Sequence, residues 1–145
     1  DIVEHAQRLG RSDDPHVRQE LARLYTDSET GRWNALRARA EAARGGGQSV
    51  ASIGKLTQTR IVKRAASLGT AICGPDGMLA GADGVDDGEV SKAMVFSPAS
   101  SIYGGSDEIQ RNIVAERTLG LPREPAPDRD LPYGEVLRNR AGTAR

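Results

Sequence analysis

The residues with the clearest chemical potential are two adjacent glycines, Gly104 and Gly105, and the three polar residues behind them, Ser106, Asp107 and Glu108. Paired glycines free the main chain to turn sharply, or to admit another molecule to contact distance. Ser106 and Asp107 are good N-cap residues, and Ile109, Ile113, Val114 and Leu119 follow at the spacing of an inward helical stripe. Gly120 then suits a left-handed C-cap, and Pro122 cannot prolong the helix. A glycine turn that opens onto a helix N-terminus offers unpaired N–H groups and the positive end of the helix dipole, a chemistry suited to phosphate or another anion. The same residues also build an ordinary turn, so the local pattern leaves both readings open.

Other chemical candidates are weaker. Lys55, Arg60, Lys63 and Arg64 cluster on one predicted helix and read either as a solvated polar face or as a phosphate contact. Cys73 stands alone, so it has no disulfide partner, and neither a His nor a helix N-terminus is expected beside it to lower its pKa. His5 and His16 are too isolated for a metal site, which needs three or four converging ligands. Asp83, Asp86, Asp87 and Glu89 lack the spacing of a calcium-binding EF-hand loop. Tyr25 and Trp33 lie on an apolar helical stripe and read as core or interface rather than as ligand-stacking rings.

Helices must position these groups. Only 3% of the 145 residues are aromatic and 37% are hydrophobic, a composition that favours thin helices packed on one another over a β-sandwich. The length suits one domain, with one core. Twenty basic and twenty acidic side chains cancel, which gives no reason to expect nucleic acid or an anionic membrane as partner. No apolar run is long enough for a membrane span and the first residues lack a signal peptide pattern, so a soluble cytoplasmic protein is expected. Apolar spacing predicts the tail of a helix over residues 1–9, a helix from Pro15 to about Arg44 capped by Asp13 or Asp14, and a third helix, capped by Ser49 or Ser52, that reaches Cys73. Gly81 to Gly88 reads as a surface loop with some mobility, and residues 123–145 as an extended Pro-rich tail whose Leu131 and Tyr133 dock on a neighbour.

The string from Tyr103 to Pro122, Tyr-Gly-Gly-Ser-Asp-Glu-Ile-Gln-Arg-Asn-Ile-Val-Ala-Glu-Arg-Thr-Leu-Gly-Leu-Pro, resembles the closing helix of the acyl-CoA dehydrogenases, flavoproteins that oxidise acyl-CoA thioesters to enoyl-CoA. The resemblance implies an all-α, up-and-down helical bundle over residues 1–122, the C-terminal domain of such an enzyme with its first helix truncated. It implies FAD as cofactor, acyl-CoA as substrate, an electron-transfer acceptor, and either a homo-oligomer or a heteromeric dehydrogenase partner. Gly105 falls beside the substrate thioester, and Ser106, Asp107 and Glu108 fall near FAD. Two acids next to a diphosphate repel it, so Glu108 better suits ribose or adenine. Ala71-Ile-Cys-Gly-Pro-Asp-Gly77 is similar to the family's Gln-Ile-Leu-Gly-Gly-Asn-Gly segment, which reaches the flavin nucleotide of a neighbouring subunit. Ala71 and Pro75 replace the glutamine and a glycine, which leaves backbone contacts at Cys73 and Gly74. The family's Arg-x-x-Phe-Gly motif is not visible, and Arg8-Leu9-Gly10 is a poor substitute.

The reaction removes a weakly acidic proton alpha to the thioester while hydride passes to the flavin, and it needs a carboxylate base in a dry pocket. In much of the family that base follows the tyrosine of a Tyr-Glu-Gly-Thr string. The matching residue here is Gly104, which accepts no proton, so no catalytic residue is assigned within the chain. Some members supply the base from a helix further upstream, which in this chain falls before Asp1. Two expectations follow: a fragment of an active dehydrogenase, inactive by itself, or a domain of a non-catalytic subunit in a heteromeric dehydrogenase. A third reading is a helical association module unrelated to flavin.

Overall fold

The computed structural model describes residues 2–45, 48–123, 125 and 130–132, and among these every regular element is helical. Five α-helices occur in order: α1 (Ile2–Arg8), α2 (Pro15–Ala42), α3 (Gln48–Cys73), α4 (Glu89–Phe96) and α5 (Asp107–Ile113). Short 3-10 turns link α3 to α4 and α4 to α5, and a π turn over Val114–Thr118 ends the last helix. The sequence prediction of an all-α fold holds.

Helix boundaries follow the residues that terminate them. The Asp14 carboxylate caps α2, accepting from the backbone N–H of His16 at 2.9 Å and of Val17 at 3.4 Å, and Pro15 fills the first helical position. Arg11 donates to the same carboxylate at 2.9 Å. Gly10 ends α1 in the left-handed conformation and lets Arg11 N–H reach back to the Ala6 carbonyl at 2.8 Å, while Gly120 plays the equivalent part after α5. α3 starts at Gln48, so neither Ser49 nor Ser52 is its cap; Ser52 is buried inside the helix. The tail beyond Arg123 lies largely outside the described residues, Tyr133 among them, while Leu131 is exposed.

α3 is the centre of the bundle, with α1, α2, α4 and α5 all packed on it. α2 lies antiparallel to it: Asp27 pairs with Arg60 and Arg64, and four residues later Gly31 meets Thr57 and Ile61. The glycine that weakens the sequence pattern of α2 is a point where the two helices pack tightly. A Cβ there would sit 3.3 Å from Thr57 Cγ2 and 3.6 Å from Ile61 Cδ1. The buried core is small, formed by Ala6, Val17, Leu24, Leu68 and Ile72, with Ile2, Leu21, Ile61 and Ala65 against it.

Several apolar side chains on the predicted stripes are exposed in this chain, as an interface reading of Tyr25 and Trp33 allows and an inward reading of Ile109 and Leu119 does not. Tyr25, Trp33 and Leu36 lie on the outer face of α2, and Ile109 and Leu119 are exposed, while Ile113 and Val114 are half-buried. Their spacing defines a stripe, but α3 covers only part of each helix circumference, which leaves the remainder without a neighbour among the described residues. Gly81 to Gly88 lies largely at the surface, as expected of a loop, and is wound into short 3-10 turns. A Cβ at Gly84 would overlap the Leu79 carbonyl, and one at Gly88 would lie 2.5 Å from the Gly81 nitrogen. Among the described residues, no helix is long and apolar enough to cross a membrane.

Close packing at Gly31 sets a direct test. Replacing Gly31 with leucine is expected to destabilise the domain by about 1–3 kcal/mol through overpacking, despite the better helix propensity of the new residue. Urea unfolding monitored by circular dichroism measures the change.

Candidate functional site

The turn before α5 is held open by backbone conformation. Gly104 and Gly105 both adopt left-handed φ angles, +66° and +89°, a region that side chains with a Cβ avoid. Gln110 donates its side-chain amide to the Gly104 carbonyl at 2.9 Å and so pins the turn from one helical turn away. Ser106 is the N-cap, with an extended backbone (φ −60°, ψ 159°), and its hydroxyl accepts from Ile109 N–H at 3.4 Å. The N–H groups of Gly104, Gly105 and Ser106 meet no protein acceptor among the described residues. Gly104 and Gly105 are exposed, and a Cβ at Gly104 would have nothing within 4 Å.

The polar residues behind the turn divide by environment. Asp107 accepts from Lys55 Nζ at 2.8 Å in a pair whose side chains are only 13% and 18% exposed, which docks the start of α5 onto α3. The bond from Lys55 holds the Asp107 carboxyl below its ordinary range, with the Ser101 hydroxyl adding to the effect. Glu108 points outward, with Arg111 at 3.6 Å. Hydrogen bonds from its own backbone and from Ser106 lower its pKa as well. A general base for an alpha proton needs a raised pKa in a dry pocket, and neither carboxylate has one.

The second candidate stretch sits at the other end of α3. Gly74, with φ +63°, turns the chain out of the helix beside Cys73. The eighteen residues from Lys55 to Cys73 span roughly 27 Å of helix, so one small ligand cannot touch both stretches of a single chain. Cys73 also has a neighbour that sequence proximity did not reveal: His5 Nε2 lies 2.9 Å from its sulfur, 68 positions away in the chain. Arg8 Nη2 donates to His5 Nδ1 at 2.8 Å and to both Asp86 oxygens at 2.8 and 2.9 Å. His5 Nδ1 also lies 3.2 Å from Asp86 Oδ2, so the imidazole is held between Asp86 and Arg8 on one side and the sulfur on the other. Burial, followed by the Asp86 carboxylate, pushes the Cys73 thiol up. A raised pKa favours the protonated sulfur and so disfavours attack by Cys73. Asp86 and Asp87 both hold left-handed backbone (φ 50° and 56°), which aims the Asp86 carboxylate at Arg8.

The cationic cluster on α3 is mostly engaged in packing. Arg64 donates to Asp27 at 2.8 Å, Arg60 lies 3.0 Å from the same carboxylate, and Lys63 reaches the Ser101 hydroxyl at 3.0 Å. Among the described residues, no group of three or more His, Cys, Asp or Glu side chains could hold a metal ion.

This arrangement of helices, closed by a diglycine turn, can be set against known proteins. Residues 2–119 match the model of the acyl-CoA dehydrogenase C-terminal domain. The chain belongs to the acyl-CoA dehydrogenase family. It is 40% identical over 124 residues to acyl-CoA dehydrogenase IpdE1 of Mycobacterium tuberculosis, covering 85% of this chain and 31% of that protein. It is 36% identical over 126 residues to acyl-CoA dehydrogenase IpdE1 of Mycolicibacterium smegmatis, covering 85% and 30%. The chain thus spans about a third of the length of these relatives. Its fold is similar to that of the Tcur3481-Tcur3483 steroid ACAD, with TM-score 0.75 and 25% identity over 86% of this chain and 33% of the other. It is also similar to a chain of the ChsE4-ChsE5 complex from Mycobacterium tuberculosis, with TM-score 0.69 and coverage of 86% and 36%. At 21% identity that second likeness shows the fold alone.

Two measurements check the site geometry. Gly105→Ala forces a Cβ into left-handed backbone 2.6 Å from Gln110 Nε2, and is expected to cost about 1 kcal/mol or more while breaking the bond to Gly104. Urea melts of Gly105→Ala and Gln110→Ala read the two contributions. For Asp107, the folded carboxyl is depressed, so its contribution is present above the unfolded pKa and lost as pH falls through the folded value. The melting temperature of Lys55→Met is therefore expected to lie below that of the unaltered protein at pH 7, with the gap closing as the pH drops below about 4. A gap that persists at low pH refutes the pairing.

Proposed function

We propose that residues 1–122 form the flavin-facing and assembly-forming C-terminal domain of an acyl-CoA dehydrogenase subunit, with residues 123–145 as its tail. The observation that carries this reading is the exposed turn at Gly104 to Ser106, whose N–H groups meet no protein acceptor among the described residues, in a chain that belongs to this family. FAD, when bound, would accept the hydride from the acyl thioester. Within this chain, Gly105 would lie against the thioester, and Ser106 and Glu108 would face the flavin nucleotide. Asp107 would act through its side chain on Lys55 rather than on a ligand, which eases the repulsion expected of two acids near a diphosphate. Cys73 and Gly74 would offer backbone to a nucleotide held by a neighbouring subunit, because they are too far from the turn to serve the same one.

The exposed residues Tyr25, Trp33 and Leu36 on α2, and Met94, Val95, Phe96, Ile102 and Tyr103 around α4, support burial against other subunits. A second reading has its own observation. Gly104 stands where much of the family carries the base, and Asp107 and Glu108 have depressed pKa values. In that reading the subunit is a non-catalytic member of a heteromeric dehydrogenase, and similarity to the ChsE4-ChsE5 complex makes a two-component assembly the form to express. Similarity to a steroid ACAD makes CoA thioesters with bulky ring systems the first substrates to assay.

The test uses the full-length subunit, alone and with its partner. Bound flavin absorbance and acyl-CoA-dependent dye reduction by the subunit alone are the expected results for the first reading. Flavin that is retained but reduced only when a partner carries the carboxylate supports the second. Colourless protein whose melting temperature ignores added FAD overturns both.

A further inference from the structure

A groove of about 800 Å³ runs between α2, α3 and α5, a volume in the range of ordinary ligand sites. It begins at Asp107, directly behind the diglycine turn, and is walled by Arg60, Lys63 and Arg64 on α3, by Glu20 on α2 and by Arg111 on α5. The charges on these walls are unevenly satisfied. Asp27 holds Arg60 and Arg64, and Glu20 is 3.7 Å from Arg64. Asp107 is spent on Lys55. Lys63 reaches the Ser101 hydroxyl at 3.0 Å, and Arg111 lies 3.6 Å from the exposed Glu108, with Asp107 close enough to feel its charge.

Among the described residues, neither Lys63 nor Arg111 donates a hydrogen bond to a carboxylate, and both face one groove from two helices. Ser101 lies between them: it accepts from Lys63 and is near enough to Asp107 to help lower its pKa, and Asp107 lies one helical turn before Arg111. Arg60 and Arg64 keep further N–H donors beyond those used on Asp27, since each guanidinium carries five. A diphosphate matches this set, with several acceptor oxygens and a charge to balance both cations.

We propose that the groove binds the phosphate groups of a nucleotide-bearing ligand, with Lys63 and Arg111 as its principal contacts. This deepens the function proposed above, because FAD and CoA both carry a diphosphate and the groove opens beside the turn where either would pass.

The experiment uses the full-length protein, flavin-free, titrated calorimetrically with inorganic pyrophosphate, with FAD and with CoA. The Lys63→Gln/Arg111→Gln double variant is expected to bind pyrophosphate about tenfold more weakly or worse, the scale of losing charge-assisted hydrogen bonds. Ser67→Asp, an exposed groove residue, places a repelling charge in the same space and is expected to weaken binding without lowering the melting temperature. It keeps the test decisive if the double variant misfolds. Lys92→Gln, paired with Glu89 on α4 outside the groove, is expected to bind as the unaltered protein does. Loss confined to the FAD titration assigns the groove to the cofactor, and loss confined to CoA assigns it to the substrate. Pyrophosphate affinity that is absent, or unchanged in the folded groove variants, overturns the inference, as does loss in neither nucleotide titration. Flavin retention is read separately by absorbance, so failure of the flavin assignment is distinguishable from failure of the groove.

Discussion

The close antiparallel contact of α2 with α3 is the constraint on which the remaining geometry rests. Gly31 removes the side chain that would hold the helices apart, and Asp27 clamps Arg60 and Arg64 on the adjoining turns of α3. With that pair fixed, α3 becomes a rod that carries every other helix, and its two ends determine where the chemically interesting turns lie. Lys55 near one end receives Asp107 and so sets the origin of α5, while Cys73 at the other end receives His5 from α1. The distance between the two turns is thus a property of helix rise, not of the loops themselves.

The ion pairs made by α3 dock helices. Positive charge on α3 is matched by acids from α2 and α5, and the pairs lie between elements rather than along one helix surface. The Arg8, Asp86, His5 and Cys73 chain does the same between α1, α3 and the loop before α4, with the left-handed backbone at Asp86 and Asp87 turning a carboxylate toward the arginine. Left-handed non-glycine residues persist where surrounding contacts over-determine them, and the tight packing at Gly84 and Gly88 supplies those contacts.

The apolar surface completes the picture of a domain made to be covered. A core of five small and medium side chains sits beneath helices whose outer faces carry Trp33, Tyr25, Phe96 and Tyr103. Phe96 and Tyr103 pack on each other with ring centroids 6.3 Å apart, and both remain more than half exposed, so the pair forms an aromatic corner next to the diglycine turn. A surface of this type gains most from contact with further protein.

Local chemistry in the sequence was sufficient for the class of fold, for most helix ends though not the start of α3, and for the open turn. Capping by Asp14 and Ser106, the left-handed glycines at 10, 104 and 120, and the halt at Gly74-Pro75 each depend on residues a few positions apart, which is why they were legible. The family was legible too, because its closing helix is one continuous string. What a stripe of apolar residues faces is a different kind of fact: periodicity located Trp33 and Ile109 on a face but could not say whether another helix of this chain covers it. Only folding brought His5 to Cys73, gave Gly31 its role as a contact point, and divided the α3 cations into engaged Arg60 and Arg64 and weakly partnered Lys63. Those outcomes join residues tens of positions apart, and no local rule of spacing reaches that far, whereas helix packing decides them at once.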